Sequence, residues 1–148
     1  MRSRVRPARE IRIPASLTCL ERVAEFVLSL GRDEDLPSDS VYRLRLATDE
    51  IVTNIIMHGY RERGGDIELR ACADRAVIGV RVEDQAPPFD PGERLAAAVP
   101  PDLPLADREI GGLGLLLAAR SLDDLRYEFV DGRNRNTLLI RRSRPKAW

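Results

Sequence analysis

Residues 47–60 read ATDEIVTNIIMHGY, and the pattern of this stretch decides the predicted fold. Its apolar side chains recur at intervals of three and four residues, which predicts a helix with one buried face. This helix is expected to begin at Ser38 or Asp39, either of which can serve as N-cap, and to stop near Gly59. Its buried side chains are predicted to be Leu44, Ala47, Ile51 and Ile55.

Two polar residues lie beside this apolar face. Glu50 and Asn54 are four residues apart, so their side chains are one turn apart on the same side of the helix. A local hydrogen bond at the boundary of the core would explain both residues. A pocket that both side chains face would explain them equally well.

The segments around this helix predict an α+β fold. Residues 10–14 favour a short strand, and residues 16–31 favour an amphipathic helix that is capped by Ser16 and ends at Gly31. Further strands are predicted from alternating or β-branched runs at 66–72, 76–84, 124–130 and 136–142, with turns at 73–75 and 131–134. We therefore expect a two-layer sandwich in one domain spanning residues 1–148, with a mixed, mostly antiparallel sheet and helices on one face.

Asp84 is predicted to face the core. Ile78, Val80 and Val82 share one face of their strand, and Asp84 continues the same alternation. Burying an unpaired carboxylate costs roughly several kcal/mol, so Asp84 needs a hydrogen-bond donor from the protein or from a ligand.

A long irregular segment follows Asp84. Residues 86–110 contain six prolines, and their position is that of a lid over the site that Asp84 faces. The sequence GGLG at 111–114 then precedes a predicted helix, where glycines allow backbone N–H groups to turn toward an anion. Tight packing or helix capping would also explain these glycines.

Composition and charge exclude several classes of protein. The formal net charge is zero, and basic residues are concentrated at 1–9 and 143–148, which we expect to be flexible tails, so a nucleic-acid partner is not predicted. The sequence has no apolar run of 18 residues and no signal peptide, which predicts a cytoplasmic protein without a membrane partner. Its one lysine, Lys146, excludes P-loop phosphotransferases and ordinary protein kinases.

Four motifs in this order resemble those of a known family. The chain is similar to the anti-sigma factor serine/threonine kinases, small single-domain members of the histidine-kinase-like (GHKL) ATPase superfamily. The resembling motifs are DEIVTNIIMHGY for the N box, EDQAPPFDP for the G1 box, GGLGL for the G2 box and NRNTLLI for the last strand. They are spread over residues 10–142, nearly the whole chain.

The resemblance implies ATP and Mg²⁺ as cofactors. Asn54 would ligate Mg²⁺ through its carboxamide oxygen, and Glu50 would accept the proton of the attacking hydroxyl group. Asp84 would accept a hydrogen bond from the adenine amino group. Thr137 is expected near the adenine.

The resemblance also implies roles for residues near the glycines. Gly112 and Gly114 would let main-chain N–H groups approach the phosphates. Leu113 and Leu115 would line the wall of the pocket or pack in the core. Arg108 could reach the terminal phosphate when the lid closes, although a solvated loop arginine is the commoner case.

One residue departs from the family pattern. The G1 box usually has glycine two residues after the aspartate, where this chain has Ala86. If that backbone required a positive φ, alanine would cost on the order of 1 kcal/mol, and its methyl group could narrow the adenine slot.

Two functions follow from the resemblance. The first is a protein-serine kinase that phosphorylates an anti-sigma factor antagonist of the STAS type, and so controls a sigma factor by partner switching, with the kinase a homodimer. The second is a non-catalytic anti-sigma or partner-switching module in which nucleotide is structural or absent. A plain α+β domain without nucleotide is the remaining alternative.

Overall fold

A computed structural model describes residues 9–61, 63–91 and 118–143. Within these residues, helix α1 spans Leu20–Asp33 and is preceded by a 3-10 turn. Helix α2 spans Ser38–Asn54 and continues into a π-helical turn at Ile55–Gly59. The described strands are β1 (Glu10–Pro14), β2 (Asp66–Ala73), β3 (Val77–Asp84), β4 (Asp124–Val130) and β5 (Arg133–Arg141). These elements confirm the predicted α+β fold.

The described strands form one sheet in the order β1-β2-β3-β5-β4. Each neighbouring pair is antiparallel, so the prediction of a mixed sheet is wrong for this part of the chain. Tight turns join β2 to β3 and β4 to β5, and a tight turn can connect only antiparallel neighbours.

The core lies between the helices and one face of this sheet. The predicted core residues of the second helix, Leu44, Ala47, Ile51 and Ile55, are buried. Val23, Phe26, Val27 and Leu30 of α1 join them in the core. The inward residues of β3 and β5 close the other side, among them Ile78, Val80, Val82, Leu138 and Ile140. No helix within the described residues is long and apolar enough to cross a membrane.

The outer face of the sheet carries charged side chains. The Glu83 carboxylate lies 3.3 Å from the Arg133 guanidinium and 3.0 Å from the Arg135 guanidinium. Arg135 also forms an ion pair with Glu128 at 3.2 Å. These charges alternate in sign across neighbouring strands, so they pair with one another. The outer face is therefore polar, while the inner face is apolar. The apolar alternation of Ile78, Val80 and Val82 fixes the inward face of β3, and pairing with β3 fixes that of β5.

The turn between β4 and β5 is tighter than predicted. It consists of Asp131 and Gly132, whose φ angles are 53° and 75°. Positive φ at both central residues is typical of a type I′ hairpin turn. As a result β5 begins at Arg133 rather than at Asn136, and Asn134 belongs to the sheet.

A buried ion pair joins the end of β5 to the loop after α1. The Arg142 guanidinium lies 2.7 Å from the Glu34 carboxylate, and the two side chains are 5% and 9% exposed. We expect Arg142→Ala to lower the free energy of unfolding by roughly 3 kcal/mol, because the buried carboxylate loses this cation. Urea denaturation followed by circular dichroism measures the change.

Arg126→Ala is the matched control for that experiment. Arg126 pairs with Asp124 at 2.7 Å, but the two side chains are 71% and 46% exposed. An exposed pair contributes at most about 1 kcal/mol, so the control should unfold nearly as the wild type does. Equal losses in the two variants would contradict a special role of the buried pair.

The remaining predictions on organisation concern residues that are mostly outside the described ranges. The predicted basic tails, 1–9 and 143–148, lie there except for Arg9 and Ser143, and so does most of the predicted lid at 86–110. A single domain over residues 1–148 stays a prediction.

Candidate functional site

Asn54 ends α2 with an unsatisfied oxygen. Its side chain is 4% exposed, and its amide nitrogen donates to the Glu50 carbonyl oxygen at 2.7 Å. Its carboxamide oxygen Oδ1 is buried and has no hydrogen-bond partner in the described structure. Because a buried acceptor without a partner costs about 1–3 kcal/mol, this oxygen indicates a ligand position.

Glu50 lies one helical turn before Asn54 and is half-buried. A half-buried carboxylate can still meet a substrate hydroxyl group, which is what a proton acceptor requires. The π-helical turn at Ile55–Gly59 follows directly, and π turns are often found at functional sites.

Asp84 ends β3 on the inward face, as the alternation predicted. It is 3% exposed, and burial raises its pKa, while hydrogen bonds from Asn134 and from the Ala86 backbone act in the opposite direction. Both donors bind one oxygen, Oδ1, at 2.8 Å and 2.9 Å. One side of the carboxylate is therefore satisfied by the protein.

Ala86 lies against the end of the helix that carries Asn54. A Cβ atom added to Gly59 would be 3.2 Å from the Ala86 Cβ, so the two backbones approach closely. In the described residues, the non-glycine positions with positive φ are Asp35, Arg61 and Asp131. Ala86 is not one of them, so this backbone does not impose the strain considered from the sequence.

Tyr60 joins the helix end to the strand that ends in Asp84. Its hydroxyl group accepts from the Gln85 N–H at 2.8 Å and donates to the Asp66 carbonyl oxygen at 2.7 Å. Burial raises the pKa of Tyr60, which keeps the hydroxyl group protonated and able to donate. The ends of α2 and β3 are thus held at one end of the fold.

Sequence reasoning missed two buried asparagines on β5. Asn134 is 1% exposed and lies opposite Asp84, whereas Asn136 is 2% exposed and lies opposite Val82. The Oδ1 atom of Asn136 is buried without a hydrogen-bond partner in the described structure. Asn136 is therefore a second buried acceptor on the face that carries Asp84.

The placement of Thr137 beside the adenine requires a correction. Thr137 lies opposite Arg81 on β3 and opposite Arg126 on β4, both on the outer side of the sheet. Side chains alternate between the two faces of a strand, so Thr137 points away from the face of Asp84. Asn134 and Asn136 occupy the inner positions instead.

The remaining predicted site residues cannot be placed beside these groups. Five of them lie outside the described residues, namely Arg108, Gly112, Leu113, Gly114 and Leu115. Their roles toward phosphate stay predictions.

Comparison with known proteins identifies the family of this chain. The sequence profile of the histidine kinase-like ATPase domain matches residues 13–142, from within β1 to the residue after β5. The chain belongs to the histidine kinase-like ATPase domain family. Glu50 and Asn54 lie on α2 and Asp84 ends β3, and the roles that the resemblance implies for them stay predictions.

Relatives of this ATPase domain include an anti-sigma factor and serine-protein kinases. Anti-sigma F factor of Clostridium acetobutylicum is 23% identical over 113 residues, which are 76% of this chain and 78% of that protein. Serine-protein kinase RsbW of Listeria monocytogenes is 31% identical over 98 residues, 64% of this chain and 62% of that protein. RsbW of Bacillus cereus is 24% identical over 125 residues, 83% of this chain and 78% of that protein. These relatives confirm the resemblance to the anti-sigma kinase branch.

A solved structure shares the fold of this ATPase domain. The crystal structure of RsbU and RsbW domains from Mycobacterium tuberculosis superposes with a TM-score of 0.65 over 97% of this chain, at 18% identity. The chain spans 34% of that longer protein. At this identity the likeness shows the fold, which agrees with the α+β architecture described above.

Proposed function

We propose that this protein is an ATP-dependent protein-serine/threonine kinase that phosphorylates an anti-sigma factor antagonist of the STAS type. The observation that carries the proposal is the unsatisfied Oδ1 of Asn54, buried one helical turn from Glu50. A bound cation would supply the partner that this oxygen lacks. The names of the relatives, serine-protein kinase and anti-sigma factor, support the same reading.

The residues of α2 supply the chemistry in this proposal. Glu50 would accept the proton of the substrate hydroxyl group as that group attacks the terminal phosphorus of ATP, whose bond to the bridging oxygen breaks so that ADP leaves. The apolar neighbours Ile51 and Ile55 are buried and fix the helix, so the position of Glu50 is set before the substrate arrives.

The fit of Mg²⁺ can be judged from Asn54. A carboxamide oxygen is a suitable ligand for a hard cation, and this oxygen has no competing donor in the described structure. When bound, Mg²⁺ would neutralise charge on the phosphates. Asn54 would then hold it next to Glu50.

The adenine would be recognised from β3 and β5. Asp84 has one oxygen held by the protein, which leaves Oδ2 as the acceptor for the adenine amino group. Asn136 offers a second buried acceptor on the same face. We include Asn136 in the proposed nucleotide site in place of Thr137.

The proposed partners follow from the relatives. The unphosphorylated antagonist would release a sigma factor from this protein, and phosphorylation would reverse the exchange. A homodimer is proposed from the family resemblance. If nucleotide binds without phosphotransfer, the protein acts instead as an anti-sigma or partner-switching module.

Calorimetric titration with ATP and ADP, with and without Mg²⁺, tests the nucleotide site without knowledge of the partner. Saturable binding of ATP that strengthens with Mg²⁺ supports the proposal. Absence of binding at up to millimolar ATP would contradict it. Transfer of phosphate to purified STAS-domain proteins of the same genome then distinguishes the kinase from the binding module.

Asn54→Ala separates metal binding from folding. We expect Mg²⁺ to strengthen ATP binding about tenfold or more in the wild type and hardly at all in the variant, because the metal loses its protein ligand. The nucleotide-free variant should be as stable as the wild type or more stable, since a buried unsatisfied oxygen is removed. Paired titrations in Mg²⁺ and in EDTA, and urea denaturation, measure the two effects. A full Mg²⁺ effect in the variant would contradict the metal role.

A further inference from the structure

Asn134 connects more polar groups than any residue so far assigned a role in the site. Its amide NH₂ group, with two hydrogens, lies among three acceptors: Asp84 Oδ1 at 2.8 Å, the Ala86 carbonyl oxygen at 3.0 Å and the Pro87 carbonyl oxygen at 3.2 Å. Its own Oδ1 accepts from the Phe89 N–H at 3.0 Å and from the Tyr127 hydroxyl group at 2.5 Å. The side chain is 1% exposed, so water does not compete for these bonds.

The surroundings fix which way the amide points. Acceptors surround its nitrogen and donors surround its oxygen, so a flipped amide would place like groups against one another at both ends. Tyr127, on β4, strengthens this preference because its hydroxyl group donates to the Asn134 oxygen. The group that faces Asp84 is therefore always a donor.

We infer that Asn134 is a positioning residue that turns the Asp84 carboxylate so that Oδ2 meets the adenine, and that ties the first residues of the 86–110 segment to β5. This inference rests on the proposed nucleotide site. Asn134 and the Ala86 N–H occupy Oδ1 together, which leaves the carboxylate little freedom to rotate. The bonds to Pro87 and Phe89 extend the same support to the start of the predicted lid.

A thermodynamic cycle that combines a protein variant with a nucleotide variant tests whether Asn134 acts through Asp84. ATP is compared with purine riboside triphosphate, which lacks the 6-amino group, in the wild type and in Asn134→Ala. We expect the variant to bind ATP about tenfold more weakly and the amino-free nucleotide with nearly unchanged affinity. The preference for the amino group should therefore fall by about tenfold.

Each result of this cycle has one reading. If Asn134 has only a general structural role, both nucleotides weaken by the same factor, and the inference is overturned while the nucleotide site stands. If the wild type does not bind ATP at all, the proposed function fails and the inference fails with it. An unchanged ATP affinity in the variant also overturns the inference.

Tyr127→Phe gives the same test with less risk to folding. It keeps the ring and removes the hydroxyl group, which donates to Asn134 and accepts from the Phe89 N–H. We therefore expect a two- to fivefold loss of affinity for ATP and none for the amino-free nucleotide. Tyr42→Phe is the matched control, since Tyr42 is 67% exposed on α2. Equal behaviour of the two tyrosine variants would contradict the inference.

Amide hydrogen exchange tests, without nucleotide, whether Asn134 holds Asp84 and the start of the 86–110 segment in place. The Ala86 N–H donates to Asp84 Oδ1, and the Phe89 N–H donates to Asn134 Oδ1 at 3.0 Å and to the Tyr127 hydroxyl oxygen at 3.2 Å. In Asn134→Ala both amides should exchange about tenfold faster or more, while amides in the middle of β3 keep their wild-type rates. Unchanged exchange at both positions would overturn the inference.

Discussion

Asp84→Asn is expected to weaken ATP binding by roughly 100-fold. The substitution keeps the shape of the side chain, and its effect follows from the two donors on Oδ1. Because Asn134 and the Ala86 N–H both donate to that atom, the oxygen of the new amide must stay there. Its NH₂ group then faces the adenine amino group. Two donors are thus opposed, whereas in the wild type the amino group donates to Oδ2 of Asp84. Calorimetry with ATP measures the loss.

The same variant should not lose stability. Burial raises the pKa of Asp84 above its value in the unfolded chain. A raised pKa means a contribution to stability that is fully present below the unfolded value, about 4, and is lost as the pH rises through the folded value. At pH 7 the charged form therefore opposes folding, and the nucleotide-free variant should melt at the same temperature as the wild type or higher. This advantage should disappear below about pH 4.

Asp124→Asn serves as the control for both measurements. Asp124 is half-exposed on β4 and pairs with the exposed Arg126. We expect its ATP affinity and its melting temperature to be close to those of the wild type. An Asp84→Asn variant that binds ATP as tightly as this control would remove the proposed adenine contact.

The face of each residue was predictable where apolar and polar residues alternate. Ile78, Val80 and Val82 fix the phase of β3, and the inward position of Asp84 follows from them. The same reasoning fixed α2, whose apolar residues repeat at helical spacing. Both predictions rest on contrast between the two faces of one element.

No such contrast exists at the start of β5. Residues 133–136 read RNRN, which is polar on both faces, and residues 138–140 read LLI, which is apolar on both. The phase is set by the two-residue turn at Asp131 and Gly132 and by pairing with β3. Local sequence therefore left Thr137 and Asn136 equally possible, and tertiary register places Asn136 inward.

Glu50→Gln is expected to bind Mg-ATP with nearly wild-type affinity but to transfer phosphate about 10²- to 10⁴-fold more slowly. The amide cannot accept the proton of the attacking hydroxyl group. Since the oxygen and the shape of the side chain are retained, the helix and the neighbouring Asn54 should keep their positions. Single-turnover transfer from radiolabelled ATP to a purified STAS-domain antagonist measures the rate, and calorimetry measures the affinity.

Asp49→Asn is the matched control, because it removes the neighbouring carboxylate from the same helix. Successive residues of an α-helix point about 100° apart, so Asp49 and Glu50 cannot serve the same hydroxyl group. Burial raises the pKa of Asp49, which makes a perturbed carboxylate by itself an insufficient sign of a base. We expect Asp49→Asn to transfer phosphate at nearly the wild-type rate. A slow Asp49→Asn beside a fully active Glu50→Gln would assign the proton acceptor to the other face of α2, and full transfer by both would leave the kinase without a base on this helix.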